Sequence, residues 1–235
     1  MTDDILRSFP NADDMVRALS DEIVSRLIRS VSARGAASLA VSGGTTPGIL
    51  FDALSGRNAS WDQVSVTLSD ERWIPPDQDG SNEKLVRTRL LRNAARDATL
   101  VPLKTQDASP ATAEAKVDAA VAAMPRPFDV MLLGMGDDGH TASLFPHSAG
   151  LDAALELARP HLVQAVHADS AVATGERMTL TLRAILGSKL IIILIRGEQK
   201  LATYRKAATG TDVHEMPVRA VLNQTETPVR VYWSP

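Results

Sequence analysis

A chain of 235 residues with 44% hydrophobic and 23% charged residues has the make-up of a globular protein able to bury a sizeable core. Its net charge of −3 offers no basic field to nucleic acid or an anionic membrane, so any anion must be bound by local groups. The absence of cysteine excludes disulfides, thiolate zinc sites and a cysteine nucleophile.

No linker, internal repeat or low-complexity tract interrupts the chain, so one domain over residues 1–235 is expected. The acidic opening Thr2-Asp3-Asp4-Ile5-Leu6-Arg7 lacks a signal-peptide core, and the longest apolar run, residues 190–195, is too short to span a membrane. A cytoplasmic monomer with no membrane or nucleic-acid partner is the expectation.

Asn11 is suited to cap a helix running to about Arg34, with Met15, Leu19, Ile23, Leu27 and Val31 on one face and Gly35 at its end. Residues 38–41 read as a short buried strand leading into Ser42-Gly43-Gly44-Thr45-Thr46-Pro47, where Thr46 can cap a helix that Pro47 begins. Strand, small-residue loop and helix N-terminus is the layout that binds phosphate through backbone N–H groups and hydroxyls. The lysine and spacing of a Walker loop are missing. A plain glycine turn with a cap would look similar, but Ser, two Gly and two Thr supply more donors than a turn needs.

Residues 64–68 form an alternating strand that stops at Ser69-Asp70-Glu71-Arg72-Trp73, placing three charged residues on a strand end. Ser81 opens an amphipathic helix whose Lys84, Arg87, Arg89 and Arg92 read as a solvated face, since no aromatics interleave them. A strand is expected at residues 99–103, and Ser109-Pro110 starts an Ala-rich helix to Met124.

Residues 130–133 have the composition of a strand buried on both faces. Gly134, Gly136 and Gly139 then hold a loop carrying Asp137, Asp138 and His140, and Thr141 and Ser143 are expected to lead into a short helix. The letters Gly134-x-Gly136-x-x-Gly139 also match the dinucleotide fingerprint, but Asp137 and Asp138 would repel a pyrophosphate there. No strand ends in an acid about 20 residues later, as ribose binding would need. Taken alone, the loop is also explained as a glycine turn with a solvated histidine.

Residues 147–160 read as loop and short helix, 162–166 as a strand, and the stretch from Glu176 as helical towards its end at Gly187. Residues 189–195 are the clearest buried strand. They end in Arg196-Gly197-Glu198-Gln199-Lys200, which puts a lysine in the first turn of the next helix. Cations are disfavoured at that end of the helix dipole, so Lys200 is better suited to an anion than to the helix. A short helix at 217–222 and a last strand at 229–233, at a sheet edge, complete the chain.

Alternating strands and helices predict a Rossmann-like α/β fold: a doubly wound, mostly parallel sheet with helices on both faces and room for a small additional α+β lobe. Its strand ends carry Ser42-Gly43-Gly44-Thr45, Asp70-Glu71-Arg72, Asp137-Asp138-Gly139-His140 and Lys200. A phosphate cradle with a lysine, beside a histidine with an arginine and carboxylates, suits a phosphorylated small molecule held at one end and worked on at the other.

At these residues the chain resembles the 6-phosphogluconolactonases. The likeness runs through Ser42-Gly43-Gly44-Thr45-Thr46-Pro47, Ser69-Asp70-Glu71-Arg72-Trp73, Gly134 to Pro146, Glu176-Arg177-Met178-Thr179-Leu180-Thr181 and Gly197-Glu198-Gln199-Lys200, in that order. The resemblance implies hydrolysis of 6-phospho-glucono-1,5-lactone to 6-phosphogluconate in the oxidative pentose phosphate pathway, without cofactor or metal. It also implies the fold shared with glucosamine-6-phosphate deaminases and ribose-5-phosphate isomerases. Carried across, it gives Ser42, Gly43, Gly44, Thr45 and Lys200 to the phosphate, with Arg177 near it. His140 would activate water, and Arg72 would lie close to the substrate. One loop carboxylate, Asp138 in preference to Asp137, is expected to orient the imidazole, as an acid does in hydrolytic triads.

The rival readings are an aldose–ketose isomerase or deaminase on the same fold, with Asp70 as the carbon acid's base, and a sugar-phosphate-binding protein without turnover. Such deaminases carry a glutamate five residues after the loop histidine, where this chain has Phe145, and no DNA-binding module is attached. His147, His161, His167 and His214 lack metal-ligand spacing, and Trp61, Trp73 and Trp233 read as packing residues.

Overall fold

The computed structural model describes residues 5–169, 171 and 173–235, so the acidic opening Thr2-Asp3-Asp4 lies outside the described residues. In chain order the elements are β1 (Leu6–Ser8), α1 (Ala12–Arg34), β2 (Ala37–Val41), α2 (Thr45–Ser55), β3 (Val64–Leu68), β4 (Asp70–Arg72), α3 (Asn82–Arg89), β5 (Thr99–Val101) and α4 (Pro110–Ala122). They continue with β6 (Val130–Leu133), α5 (Leu151–Leu155), β7 (Val163–His167), β8 (Glu176–Leu180), α6 (Leu182–Leu186), β9 (Ile191–Arg196), α7 (Glu198–Thr209), α8 (Arg219–Leu222) and β10 (Val229–Ser234).

Seven strands pair in parallel in the order β1-β10-β9-β6-β2-β3-β5. The central strands β9, β6 and β2 are buried along nearly their whole length, as expected of uninterrupted aliphatic runs covered on both faces. From β1 to β2, β2 to β3 and β3 to β5 the chain steps towards one edge; from β5 to β6, β6 to β9 and β9 to β10 it steps towards the other. Crossovers between parallel strands are right-handed, so the two sets of connections fall on opposite faces. Helices α1, α2 and α3, packed in succession, cover one face, and α4, α6, α7 and α8 belong to the other. The direction of winding reverses between β2 and β6. A doubly wound sheet binds ligands in the crevice beyond the carboxyl ends of such a pair.

A second sheet, antiparallel in the order β4-β8-β7, forms the expected additional lobe. It grows straight from the first: β3 ends at Leu68, β4 begins at Asp70, and the Ser69 carbonyl between them accepts from Leu180 N at 2.8 Å.

Several expectations need correction. The strand at 229–234 is not at an edge, because β1 pairs outside it. The cap of α2 is Gly44 at φ 115°, with Thr45 and Thr46 already helical and no side-chain cap. Residues 141–150 form turns rather than a helix, and the next helix is α5. Asp70, Glu71 and Arg72 are a strand of the second sheet rather than only the end of the preceding strand, and the stretch from Glu176 enters as β8 before α6. The basic residues of α3 and its end do lie on a solvated face, where they also form surface ion pairs: Lys84 with Asp79, Arg87 with Glu83, and Arg89 and Arg92 with Asp52 of α2.

Candidate active site

The loops after β2 and β6 meet at the switch point, with α7 and the second sheet closing the sides of one cavity of about 480 Å³. Its wall includes Ser42, Gly43, Asp70, Arg72, Asp138, His140, Arg177 and Lys200, so eight of the ten residues singled out from the sequence come together. Gly44 and Thr45 do not line it; they start α2. Asn82, Met135, Ala142 and Phe145 also line it and had not been singled out as site residues.

The histidine loop is folded by its own backbone. Gly136 N donates to His140 O at 2.8 Å, Gly139 N to Gly136 O at 3.1 Å, and Thr141 Oγ1 to Gly134 O at 2.8 Å. Glycine is required at 136 because a Cβ there would lie 2.1 Å from His140 Nδ1. Within this turn Asp138 Oδ1 accepts from His140 N at 3.0 Å and lies 2.6 Å from its Nδ1. Burial disfavours the charged form of Asp138, but the hydrogen bond and charge of His140 outweigh it and hold the carboxyl below its ordinary value. An ionised Asp138 fixes the proton of a neutral imidazole on Nδ1 and leaves Nε2 as the acceptor. Phe145 packs on the ring with centroids 4.2 Å apart.

The second sheet supplies the opposite wall. Arg72 and Arg177 are direct cross-strand partners. Two like charges so placed are destabilising on their own. Buried Asp70 offsets part of this, with Oδ2 3.9 Å from Arg177; it is held by Ser69 Oγ at 2.9 Å and Ser143 Oγ at 2.6 Å. Burial depresses the pKa of Arg177, Asp70 raises it, and Arg72 adds to the depression. Arg177 also donates to Thr174 O at 3.2 Å and lies over the Phe145 ring. Arg72 donates to Gly80 O, while its buried Nε has no hydrogen-bond partner.

Glu71 takes no part in the cavity. Fully buried, it accepts from Arg72 N, Asn82 N, Glu83 N and Ser81 Oγ, and so fastens the start of α3 to β4. Burial outweighs these donors and raises its pKa. The fastening brings Asn82 to the cavity, where Nδ2 donates to Asp70 O at 2.8 Å and the side chain crosses Gly43 so closely that a Cβ there would lie 1.8 Å from Oδ1. Asn82 was masked in the sequence by its place beside the Ser81 cap.

The phosphate-cradle candidate has three features of an anion socket. Helix α2 begins at Gly44 with no side-chain cap and no acid in its first turn. The Ser42 hydroxyl is buried, lines the cavity and has no hydrogen-bond partner. Lys200, in the first turn of α7, projects to the same cavity, where its Nζ lies 2.9 Å from Asp137 Oδ1.

Fold and site together define a doubly wound α/β protein with a histidine–aspartate couple beside a Ser-Gly-Gly loop at its switch point. The family model described as glucosamine-6-phosphate isomerases/6-phosphogluconolactonase matches residues 10–233. The chain is 43% identical over 229 residues to the 6-phosphogluconolactonase of Mesorhizobium japonicum, with 97% of this chain and 94% of that one covered. It is 40% identical over 228 residues to that of Rhizobium meliloti, with 97% of each covered. The crystal structure of a 6-phosphogluconolactonase from Shewanella baltica matches with a TM-score of 0.92 at 46% identity, over 98% of this chain and 97% of that one. The chain belongs to the glucosamine-6-phosphate isomerase/6-phosphogluconolactonase family.

Proposed function

We propose that this protein is a 6-phosphogluconolactonase, a metal-independent hydrolase that converts 6-phospho-D-glucono-1,5-lactone to 6-phospho-D-gluconate in the oxidative pentose phosphate pathway, with residues 1–235 acting as one unit. The observation that carries the reading is the His140–Asp138 couple, 2.6 Å apart, in the same cavity as the unpartnered Ser42 hydroxyl and Lys200. The phosphate is held by Ser42 and Gly43, just ahead of the α2 N-terminus, with Lys200 and Arg177 supplying charge.

Water attacks C1, and His140 Nε2 takes its proton, a step typically worth about 10²–10⁴-fold. Asp138 stays ionised and steadies the imidazolium. Arg72 stabilises the oxyanion. Collapse of the tetrahedral intermediate breaks the bond from C1 to the ring oxygen, which leaves as the C5 hydroxyl with the proton from His140. Asp70 serves this reaction by fixing Arg177, since both its oxygens already accept from serines. Phe145 against His140, at the position where such deaminases carry a glutamate, weighs against the isomerase and deaminase alternative. The His140–Asp138 couple weighs against a protein that only binds its ligand.

The test is a pH-stat assay on freshly generated phosphogluconolactone. His140→Ala should lose turnover by about 10²–10⁴-fold, and Lys200→Ala should chiefly raise KM. Wild-type turnover in His140→Ala would end the general-base assignment, and absence of proton release by the wild type would end the lactonase reading.

A further inference from the structure

Lys200 has a partner whose place in the reaction remains to be assigned. Asp137 projects from the histidine loop to within 2.9 Å of the lysine, and both side chains line the substrate cavity. The contact joins two elements that no backbone ladder connects directly: the loop after β6 and the first turn of α7, which follows β9. Asp137 is a neighbour of the couple in sequence but makes a different bond. Asp138 turns to the imidazole, and Asp137 turns to the cation.

A lysine in the first turn of a helix is repelled by the helix dipole, so it gains most from an anion close by. Here that anion is Asp137. A phosphoryl group reaching Lys200 must take the place of the carboxylate or share the ammonium with it. Asp137 is free to yield, since its side chain is 65% exposed whereas that of Lys200 is 29% exposed. The phosphate dianion also brings more charge than the carboxylate and meets the Ser42 hydroxyl, which Asp137 leaves without a hydrogen bond.

We infer that Asp137 is a built-in competitor of the substrate's phosphate for Lys200: it holds the lysine aimed into the cavity and weakens phosphate affinity. This rests on the assignment of Lys200 to the phosphate. One consequence is that the enzyme binds both phosphorylated lactone and phosphorylated product less tightly than its cationic groups alone would allow, which favours release of a product carrying a second negative charge. Another is that the effect is confined to ligands bearing phosphate.

The experiment is a double-mutant cycle over Asp137→Asn, Lys200→Ala and the pair, read by KM for the phospholactone and by the inhibition constants of 6-phosphogluconate and inorganic phosphate. An exposed pair of this kind contributes about 0.2–1 kcal/mol, so Asp137→Asn should lower all three constants by about 1.4- to 5-fold. In the Lys200→Ala background the same substitution should change them by less than about 1.5-fold, because the competition has lost its object. Asp137→Ala, which cannot hydrogen-bond the lysine at all, should agree with Asp137→Asn in direction. Unchanged or raised constants in Asp137→Asn would overturn the inference, as would a decrease that persists undiminished without Lys200. If Lys200→Ala raises KM while Asp137→Asn does nothing, the phosphate assignment stands and only the competition fails. If Lys200→Ala leaves KM and the phosphate inhibition constant untouched, the assignment itself fails.

Discussion

Replacing Asp138 by asparagine removes one negative charge while keeping the shape of the side chain. In the native turn Asp138 Oδ1 accepts from both His140 N, at 3.0 Å, and His140 Nδ1, at 2.6 Å. An asparagine anchored by the same backbone N–H presents its amide oxygen to Nδ1, so ring tautomer and position are retained and the charge is what is lost. A hydrogen bond to a charged partner is worth about 1.5–3 kcal/mol when buried. Here the side chains of His140 and Asp138 are 30% and 45% exposed, so solvent screening brings the figure to about 1–2 kcal/mol. That stabilisation is felt most when the imidazole carries the water's proton, so kcat should fall by about 5- to 30-fold while KM moves by less than about two-fold. Asp138→Ala also loses the backbone bond and frees the ring, and should fall further. The assay is initial-rate proton release at neutral pH. If kcat of Asp138→Asn stays within about two-fold of wild type, the carboxylate does not steady the imidazolium and the proposed role is wrong.

Two other substitutions separate site geometry from stability. Gly136→Ala puts a Cβ 2.1 Å from His140 Nδ1 and 2.5 Å from Asp138 Oδ1; displacing the couple should cut kcat by about 10²-fold. Its thermal midpoint should move by less than about 4 °C, the shift made by about 1 kcal/mol in a chain of this size. Asp129 is buried at the start of β6, where it accepts from Ser30 and Ser38 N and pairs with Arg34 and Lys189 at 2.6 and 2.8 Å. Burial opposes its charge, yet these partners outweigh burial and lower its pKa. Asp129→Asn should therefore cost about 2–4 kcal/mol in denaturant unfolding at neutral pH. A depressed carboxyl stabilises above its unfolded pKa, so the gap from wild type should narrow as pH drops below about 4 and the native carboxylate is protonated. A gap that widens there would contradict the assignment.

What could be read from the letters follows the range of the interactions involved. Strand β6 falls at the residues expected, and α1 carries both expected caps, Asn11 accepting from Asp14 N and Gly35 at φ 75°. In each case periodicity or cap chemistry lies within the segment itself. The segments that misled depend on distant partners. Asp70-Glu71-Arg72 is a strand only because β8 lies beside it, and Leu6–Ser8 only because β10 does. Neither has the length or alternation that reads as a strand alone. At the site, the residue types that bear charge were visible, but their pairing was not. Lys200 was read as a cation awaiting an anion, and the structure gives it Asp137 from another loop. Glu71, one of three charged residues in a row, turns away from the cavity to hold α3, a division of labour that only the fold of the second sheet decides.

That second sheet also explains why a switch-point crevice here gains a second wall. The parallel sheet alone brings the loop at Ser42 and the loop at His140 side by side but leaves their far side open. Because β4 starts directly after β3, its pairing with β8 stands Arg72 and Arg177 across the crevice as a second wall. Adjacent guanidiniums would be a liability in a purely structural sheet. They are kept in place by Asp70, by Phe145 and by the Gly80 carbonyl, none of which removes their charge. A wall with that surplus of positive charge is stabilised by an anion entering the cavity, and the proposed reaction supplies such anions as a phosphate and as an oxyanion developing at C1. On the proposed reading, the two-sheet architecture sets the cations of the second sheet across the crevice from His140, which stays on the switch-point loop.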